Sequence, residues 1–357
     1  MTPVKIGFVL LSNSKYPMPS TRIAVLNMFP FLRAANFDPH IVFEPAKETE
    51  TPNLSGLAPR LITEGFEIIF FQKVHGPSVE ELARQLSAAG IRTVYGVCDL
   101  VNVAMAAATD ATTVVTDYLK SLYPRELQSK IHVVHDGIEN QSARKTNWGE
   151  QHGSQRRPLR AVLVTSAGLD HLPLLGAPPE WLEVTIVGRY PANGQIVQRL
   201  REAYWTLAGQ KNLHDRWSYV RFLTNRNIRC LAWDPVGVYE CMRQADIGII
   251  VVESSPQHLP GRPAPSWKVK SENRLTMKMC MGLPVIATPI PAYESIIEHG
   301  VNGFLARSTR DCMRSLEALR DPERRQMVGA LARQSVLEKY SMRAQAHRLI
   351  TVLRSFS

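Results

Sequence analysis

Residues 267–293 read WKVKSENRLTMKMCMGLPVIATPIPAY. The pattern is a basic loop, a short helix, a tight turn and a buried strand. Ser271 is placed to cap the helix, its hydroxyl taking a backbone N–H of the first turn. Glu272 follows where the positive end of the helix dipole favours an acid. No glycine or proline interrupts Glu272 to Met281; Gly282 then supplies the stop, Pro284 prevents continuation, and Val285-Ile286-Ala287-Thr288 is a short apolar strand. Arg262, Lys268, Lys270, Arg274 and Lys278 face a single acid, Glu272, between residues 254 and 280. On a helix running as drawn, Lys270, Arg274 and Lys278 stack at i, i+4 spacing, which costs a few tenths of a kcal/mol per like-charged pair. An anion at the helix start reverses that cost, because free N–H groups, dipole and cations converge on it. A solvated basic helix face is the plainer alternative.

Working outward, the chain repeats this strand–helix alternation along its length. Val4 to Leu11 is an apolar strand followed by a polar, proline-punctuated loop, Ser12 to Ser20. From Thr21 a helix carries Ile23, Leu26, Phe29 and Leu32 at helical spacing, with a break at Pro30. Strands are expected at 39–43, 67–72, 93–97, 112–116 and 131–134, with helices at 61–64, 79–89 and 117–123 between them. Residues 140–157 are polar, without periodicity, and read as a linker. The pattern then restarts, with strands at 160–165, 184–187, 227–232 and 246–252, helices at 196–207 and 236–244, and three helical pieces over 311–357 divided near Pro322 and Ser341. Strands that are apolar throughout and alternate with helices indicate parallel sheets covered on both faces. Ligands of such sheets sit beyond the carboxyl ends of the strands. The loops there carry Ser12, Asn13 and Arg22, then Lys73 to His75, Cys98-Asp99, and His135-Asp136-Gly137.

Composition sets bounds around this pattern. A chain of 357 residues exceeds the usual single-core size, so two domains are expected. With 45% hydrophobic and 21% charged residues it is an ordinary globular protein. Its net charge of +10 favours an anionic partner: a nucleotide, an acidic membrane surface or a nucleic acid. The five cysteines are scattered with no C-x-x-C pair, which indicates neither a disulfide framework nor a zinc site and fits a reducing cytoplasm. The first apolar run is too short for a signal segment or a membrane span. Neither G-x-G-x-x-G nor G-x-x-x-x-G-K-[ST] occurs, so a dinucleotide-binding fingerprint and a P-loop are unsupported; G-x-S-x-G and H-E-x-x-H are absent too.

Four segments carry a family resemblance. Thr109 to Thr116 with Tyr118-Leu119 is similar to "ADxVxxxSxxL", and Ile131 to Glu139 to "kixVIpNGID". Ala245 to Ile249 resembles the strand before a donor site. Met279 to Thr288, followed by Gly300-Val301-Asn302-Gly303-Phe304-Leu305, resembles "mAxGxPVIat…GxNGfLv". In this order they resemble the GT-B glycosyltransferases, specifically the large retaining group that includes sucrose-synthase-like and mannosyltransferase enzymes. The resemblance implies an α/β fold of two Rossmann-like domains with parallel sheets facing across a cleft. The acceptor domain is expected over residues 1–139, the linker over 140–157, the donor-binding domain over 158–340, and a final helix over 341–357 that crosses back to the first domain. It also implies a nucleotide-sugar donor, transfer with retention, and neither cofactor nor metal ion, since protein cations neutralise the leaving diphosphate.

The site follows residue by residue. Lys270 and Arg274 are the expected diphosphate ligands and stabilisers of the leaving group, with Lys268, Ser271 and Asn273 beside them. Gly188-Arg189 matches the place of a phosphate-contacting arginine, and Ser166 and Gly168 line the corresponding first loop. Tyr293 and Glu294 are expected to meet sugar or base. On the acceptor side, His75 matches a sugar-contacting histidine, Asp99 is expected to act on the acceptor, and Ser12, Asn13, Arg22 and Lys73 to bind it. One departure stands out: the glutamate pair of the group's "E-x7-E" falls here on Val269 and Met277, and Lys270-Ser271-Glu272-Asn273-Arg274 fits a "K-S-x-N-R" variant instead. The expected acceptor is a polysaccharide or lipid-linked glycan, handled in the cytoplasm with the basic surface on the anionic inner membrane. Two alternatives stay open: transfer to modified nucleic-acid bases, and a degenerate protein that binds sugar nucleotides without turnover.

Overall fold

The computed structural model describes residues 2–146, 148, 158–165, 178–188, 190, 196–210, 212–252 and 263–355. The chain divides into two compact units, each built on its own parallel sheet.

The first unit holds residues up to Glu139. Its strands are β1 (Val4–Val9), β2 (Phe37–Phe43), β3 (Ile68–Gln72), β4 (Arg92–Val97), β5 (Ala111–Val114) and β6 (Ile131–Val133), in the order β2-β1-β3-β4-β5-β6 with every pair parallel. All five residues of β3 are buried because the sheet is covered twice. Ile69 and Phe71 enter one core with Val79, Leu82 and Leu86 of helix Pro77–Ala88. Ile68 and Phe70 enter the other with Ile23, Leu32 and Leu349. Each such side chain withdrawn from water contributes about 1.5–3 kcal/mol. Two later pieces of chain complete this unit. Ala264 and Val269 pack into the first core. Helix Met342–Arg354 lays Met342, Ala346, Leu349 and Leu353 into the second.

The second unit is organised around β7 (Leu159–Val164), β8 (Leu182–Gly188), β9 (Ile228–Ala232), β10 (Ile247–Ile250), β11 (Val285–Ala287) and β12 (Phe304–Leu305), ordered β12-β11-β10-β7-β8-β9 and again parallel. In both sheets the chain reverses its direction of growth beside the first strand, between β1 and β3 and between β7 and β10. Such switch points open crevices at the carboxyl ends of strands.

The described residues of the polar stretch from Asn140, expected as a linker, are anchored on the second unit. Ala143 is buried with Val162, Val164 and Met281. The Lys145 ammonium is 3.3 Å from Asp246, and both side chains are buried. Among the described residues, helices Val103–Ala108 and Leu213–Thr224 were not anticipated, nor were the short helical turns Arg125–Lys130 and Pro291–Glu294. Val103–Ala108 is too short and too uniform in alanine to show a period; the Asn102 side chain caps it, accepting the Met105 N–H at 2.8 Å. Leu213–Thr224 has apolar residues on two faces rather than one stripe. No described helix is long and apolar enough to cross a membrane.

Candidate functional site

In the first unit, two side-chain groups collect at the carboxyl ends of its strands. Lys73 follows β3 in a left-handed conformation (φ 61°), uncommon for a side chain of its size. Its ammonium lies 2.9 Å from Glu50 Oε1 and 2.9 Å from Asp99 Oδ1. Burial acts to lower its pKa, but the Asp99 charge and the hydrogen bonds to Glu50 and Asp99 outweigh it and raise the value. The neighbouring Cys98 thiol donates to Asp99 Oδ1 at 3.5 Å, and burial pushes its pKa well up, so it is held as an unreactive thiol. The His75 N–H donates to the Glu50 carbonyl at 2.7 Å. Three residues singled out in the sequence, Lys73, His75 and Asp99, therefore meet, joined by Glu50, which was not.

The second group was not foreseen as a group, although His135 and Asp136 were named in a loop beyond the carboxyl end of a strand. Glu272, expected at a helix dipole, instead lies buried in the first unit. Its Oε1 accepts the Asp136 N–H at 3.2 Å and sits 3.1 Å from His135 Nδ1, which is 2.7 Å from the Val115 carbonyl oxygen. Glu272 Oε2 is buried with no hydrogen-bond partner among the described residues. Asp136, expected in a loop beyond the carboxyl end of a strand, is also buried. Burial first, then the Glu272 charge, raises its pKa, against weaker opposing effects of a hydrogen bond with Ser271 and of His135. A carboxyl group so placed holds a proton that an ordinary aspartate has lost. A cavity of about 30 Å3 lies alongside, lined in part by Gln72, Cys98, Thr113, His135 and Asp136. It has room for about two waters. The local signal for this group is thin: Glu272 is the sole acid of a basic stretch, and its partners are more than a hundred residues away.

The remaining acceptor candidates make contacts within the first unit. Ser12 is buried, its hydroxyl 2.8 Å from Thr21 Oγ1 and accepting the Met18 N–H at 2.9 Å. Asn13 Oδ1 accepts the Lys15 N–H at 2.8 Å. Arg22 forks onto Glu139 at 2.6 and 2.9 Å, so its charge is already matched.

The basic stretch opens helix Asn273–Cys280. Lys270 precedes it and is exposed, Arg274 sits half-buried in its first turn, and the Lys268 ammonium lies 5.3 Å from the Trp267 ring centroid. The expected stack of three cations is not formed. Lys278 points inward, fully buried over Gly248, where an added Cβ would come within 2.9 Å of its Cδ. Its ammonium donates to the Arg274 carbonyl at 3.1 Å. Burial, and secondarily the Arg274 charge, bring its pKa down to about 7. At the end of β8, the Gly188 carbonyl accepts N–H groups of Tyr190 (2.9 Å) and Trp233 (2.8 Å), and a Cβ on Gly188 would stand 3.2 Å from the Thr165 carbonyl oxygen. Tyr293 is buried, while Glu294 pairs with Arg307 at 3.1 Å on the surface. Ser166, Gly168 and Arg189 lie outside the described residues. Among the described residues no three His, Cys, Asp or Glu side chains are grouped to hold a metal ion.

Known proteins place this chain in a wider setting. A family model described as glycosyl transferase-like matches residues 156–351, and one described as glycosyl transferase family 4 group matches residues 22–143. None of the curated proteins matches the chain. Among solved structures, HepE of Anabaena in complex with UDP and glucose is similar with a TM-score of 0.64 at 12% identity, covering 99% of this chain and 100% of that one. A glycosyltransferase from Rickettsia africae gives 0.68 at 10% identity, covering 100% and 99%. Sucrose-phosphate synthase from Thermosynechococcus elongatus gives 0.66 at 12% identity, covering 98% of each chain. At these identities the solved structures speak for the fold, two α/β units of GT-B type. The family model, which spans more than half of the sequence, goes further: this chain belongs to the glycosyl transferase-like family.

Proposed function

We propose that the protein transfers a sugar, with retention, from a nucleoside-diphosphate sugar to a hydroxyl of a polysaccharide or lipid-linked glycan. The observation that carries this reading is the start of helix Asn273–Cys280, where Lys270 and Arg274 bring two cations to the positive end of the helix dipole. Lys270 and Arg274 bind the diphosphate and stabilise the charge it gains on leaving, commonly the largest catalytic contribution in group transfer. Lys268, Ser271 and Asn273 support them, and Gly188 serves the same donor, as do Ser166, Gly168 and Arg189 outside the described residues. Tyr293 and Glu294 serve the sugar or base of the donor. The acceptor hydroxyl attacks on the face the diphosphate leaves, and the departing phosphate takes its proton. His75 and Asp99, held by Lys73 and Glu50, contact the acceptor. Protein cations stand in for a metal ion in this scheme. The HepE complexes hold UDP and glucose or UDP-glucose, which makes UDP-glucose the first donor to try.

A second reading, binding of a sugar nucleotide without turnover, draws on the fate of the two positions where the family's glutamates would fall. Val269 is buried in the core of the first unit, and Met277 packs against Val162 and its neighbours in the second. A thermal-shift series with UDP-, GDP- and ADP-sugars separates the readings when paired with product analysis. A donor at about 100 times its Kd stabilises by about 2.7 kcal/mol. Donor binding together with transfer to water or to a glycan acceptor supports the enzyme; binding without either selects the second reading. No shift with any donor overturns both.

A further inference from the structure

Helix Ile196–Gly209 has fourteen residues, and none of them is buried. Helices of this length are marginal in water and ordinarily gain stability by burying an apolar face. This helix has such a face: Ile196, Val197, Leu200 and Tyr204 fall within an arc of about 100° at 100° per residue. They are 67%, 81%, 66% and 65% exposed, and Leu207, further along the same arc, is partly buried against the core of the second unit. Trp205, 66% exposed, stands edge-on to Tyr204 with ring centroids 5.5 Å apart. The next helix, Leu213–Thr224, has two apolar faces. Tyr219 and Phe222 enter the core of the second unit, while Leu213 and Trp217, one turn apart, are 74% and 68% exposed. Trp205 lies four residues before the end of the first helix and Trp217 four after the start of the second, so both stand one turn from the hairpin connection.

Charge shows what covers this face. Residues 196–229 contain seven arginines and lysines against two acids, a surplus of five and half of the chain's +10. Arg201, Arg216, Arg221, Arg226 and Arg229 are all exposed. A second copy of the same face would bring like charges together, which opposes self-association. A nucleic acid would use the arginines and aromatic rings but has no use for Ile196, Val197, Leu200 and Leu213. Tryptophan, tyrosine and aliphatic residues bordered by arginine suit the boundary between lipid headgroups and acyl chains. We infer that the hairpin of helices Ile196–Gly209 and Leu213–Thr224 docks the protein on an anionic lipid bilayer, with Trp205 and Trp217 inserted at headgroup depth. This inference uses none of the residues assigned to donor or acceptor.

The test is co-flotation of the full chain with vesicles, without nucleotide or sugar. Vesicles of phosphatidylcholine with one-quarter phosphatidylglycerol should carry the protein up the gradient in 50 mM salt, and phosphatidylcholine alone should not. Binding should fall steeply by 500 mM salt, since basic residues near the surface supply part of the attraction. Brominated acyl chains should quench part of the tryptophan emission. Because both rings are exposed, Trp205→Ser with Trp217→Ser should leave the thermal transition unchanged while weakening vesicle binding about tenfold and removing the quenching. Equal binding by the double variant overturns the assignment, as does absence of flotation at low salt. A dimer in solution that the double variant abolishes gives the face to a second copy, and tighter binding to single-stranded RNA than to vesicles gives it to nucleic acid. Either result also overturns it. The donor thermal shift reads the glycosyltransferase proposal separately.

Discussion

Lys278 shows how far one buried charge departs from its neighbours in sequence. Three basic residues at helical spacing look alike on paper, yet Lys270 is exposed, Arg274 is half-buried and Lys278 is wholly enclosed. With its pKa down to about 7 in the fold and an ordinary value of 10.5, the unfolded chain binds the proton more tightly. The resulting penalty is absent above pH 10.5, grows as pH falls, and is complete below about 7. Lys278→Met should therefore stabilise the second unit by on the order of 3–5 kcal/mol near pH 6 and progressively less towards pH 10. Urea unfolding across that range measures it, and a pH-independent difference would contradict the buried ammonium. Asp136 has the opposite sign. Its raised pKa means the native state keeps the proton that the unfolded chain releases, so stability declines as pH climbs through and beyond the usual carboxylate range. Asp136→Asn should flatten the part of the melting-temperature profile between pH 4 and 8 that this group causes. If the slope is unchanged, the Asp136–Glu272 contact does not control it. Lys73→Met leaves Glu50 and Asp99 without their shared cation. A loss of about 2–3 kcal/mol is expected in chemical denaturation.

At the level of elements, strands were the readily legible part. A strand such as β3 is buried on both faces, so its composition alone announces it. The turn at Gly282 was legible too, and its φ of 82° supplies the reason a glycine is there. That the expected helix after Pro322 lies across this turn was not legible, because the requirement is mutual. Gly329, inside helix Pro322–Leu337, has no room for a Cβ: the atom would collide with the Gly282 carbonyl and come within 2.8 Å of the Trp148 ring. Arg333 of the same helix bonds the carbonyls of Gln141, Ala143 and Cys280, which ties this contact to the chain beyond Asn140. Gly329→Ala, helpful to an isolated helix by about 1 kcal/mol, should here cost about 2–4 kcal/mol by forcing the helix off the turn. Thermal unfolding decides the sign. Helix Leu213–Thr224 was overlooked for the opposite reason, since residues serving two environments blur the single stripe by which helices are read.

Across the whole molecule, the first unit cannot be cut out of the chain at Glu139. Residues of 254–273 and Glu338–Ser357 belong to it, the latter laying helix Met342–Arg354 along one face of the sheet. Gln345 Oε1 also accepts the His135 N–H at 3.0 Å. Deleting residues from Glu338 onward should expose that apolar face and abolish hydrogen-exchange protection in β1 and β3, while protection in β7 and β8 persists. Equal loss in both units would show instead that they unfold as one. The proposed donor site is tested at this scale as well: Lys270→Ala with Arg274→Ala should remove any sugar-nucleotide thermal shift without lowering the ligand-free transition. By itself, the sequence determined the alternation of buried strands and helices and the parallel α/β class, because hydrophobic period and turn chemistry are written locally; the likeness to GT-B glycosyltransferases rested on four motif segments instead. Only the tertiary structure decided that Glu272 faces Asp136 and His135, that Lys278 turns inward, and that two aromatic-rich helices leave an apolar face uncovered. Those outcomes depend on which distant segments arrive beside a residue, and a charge or an indole ring carries no mark in the sequence of the surroundings it will meet.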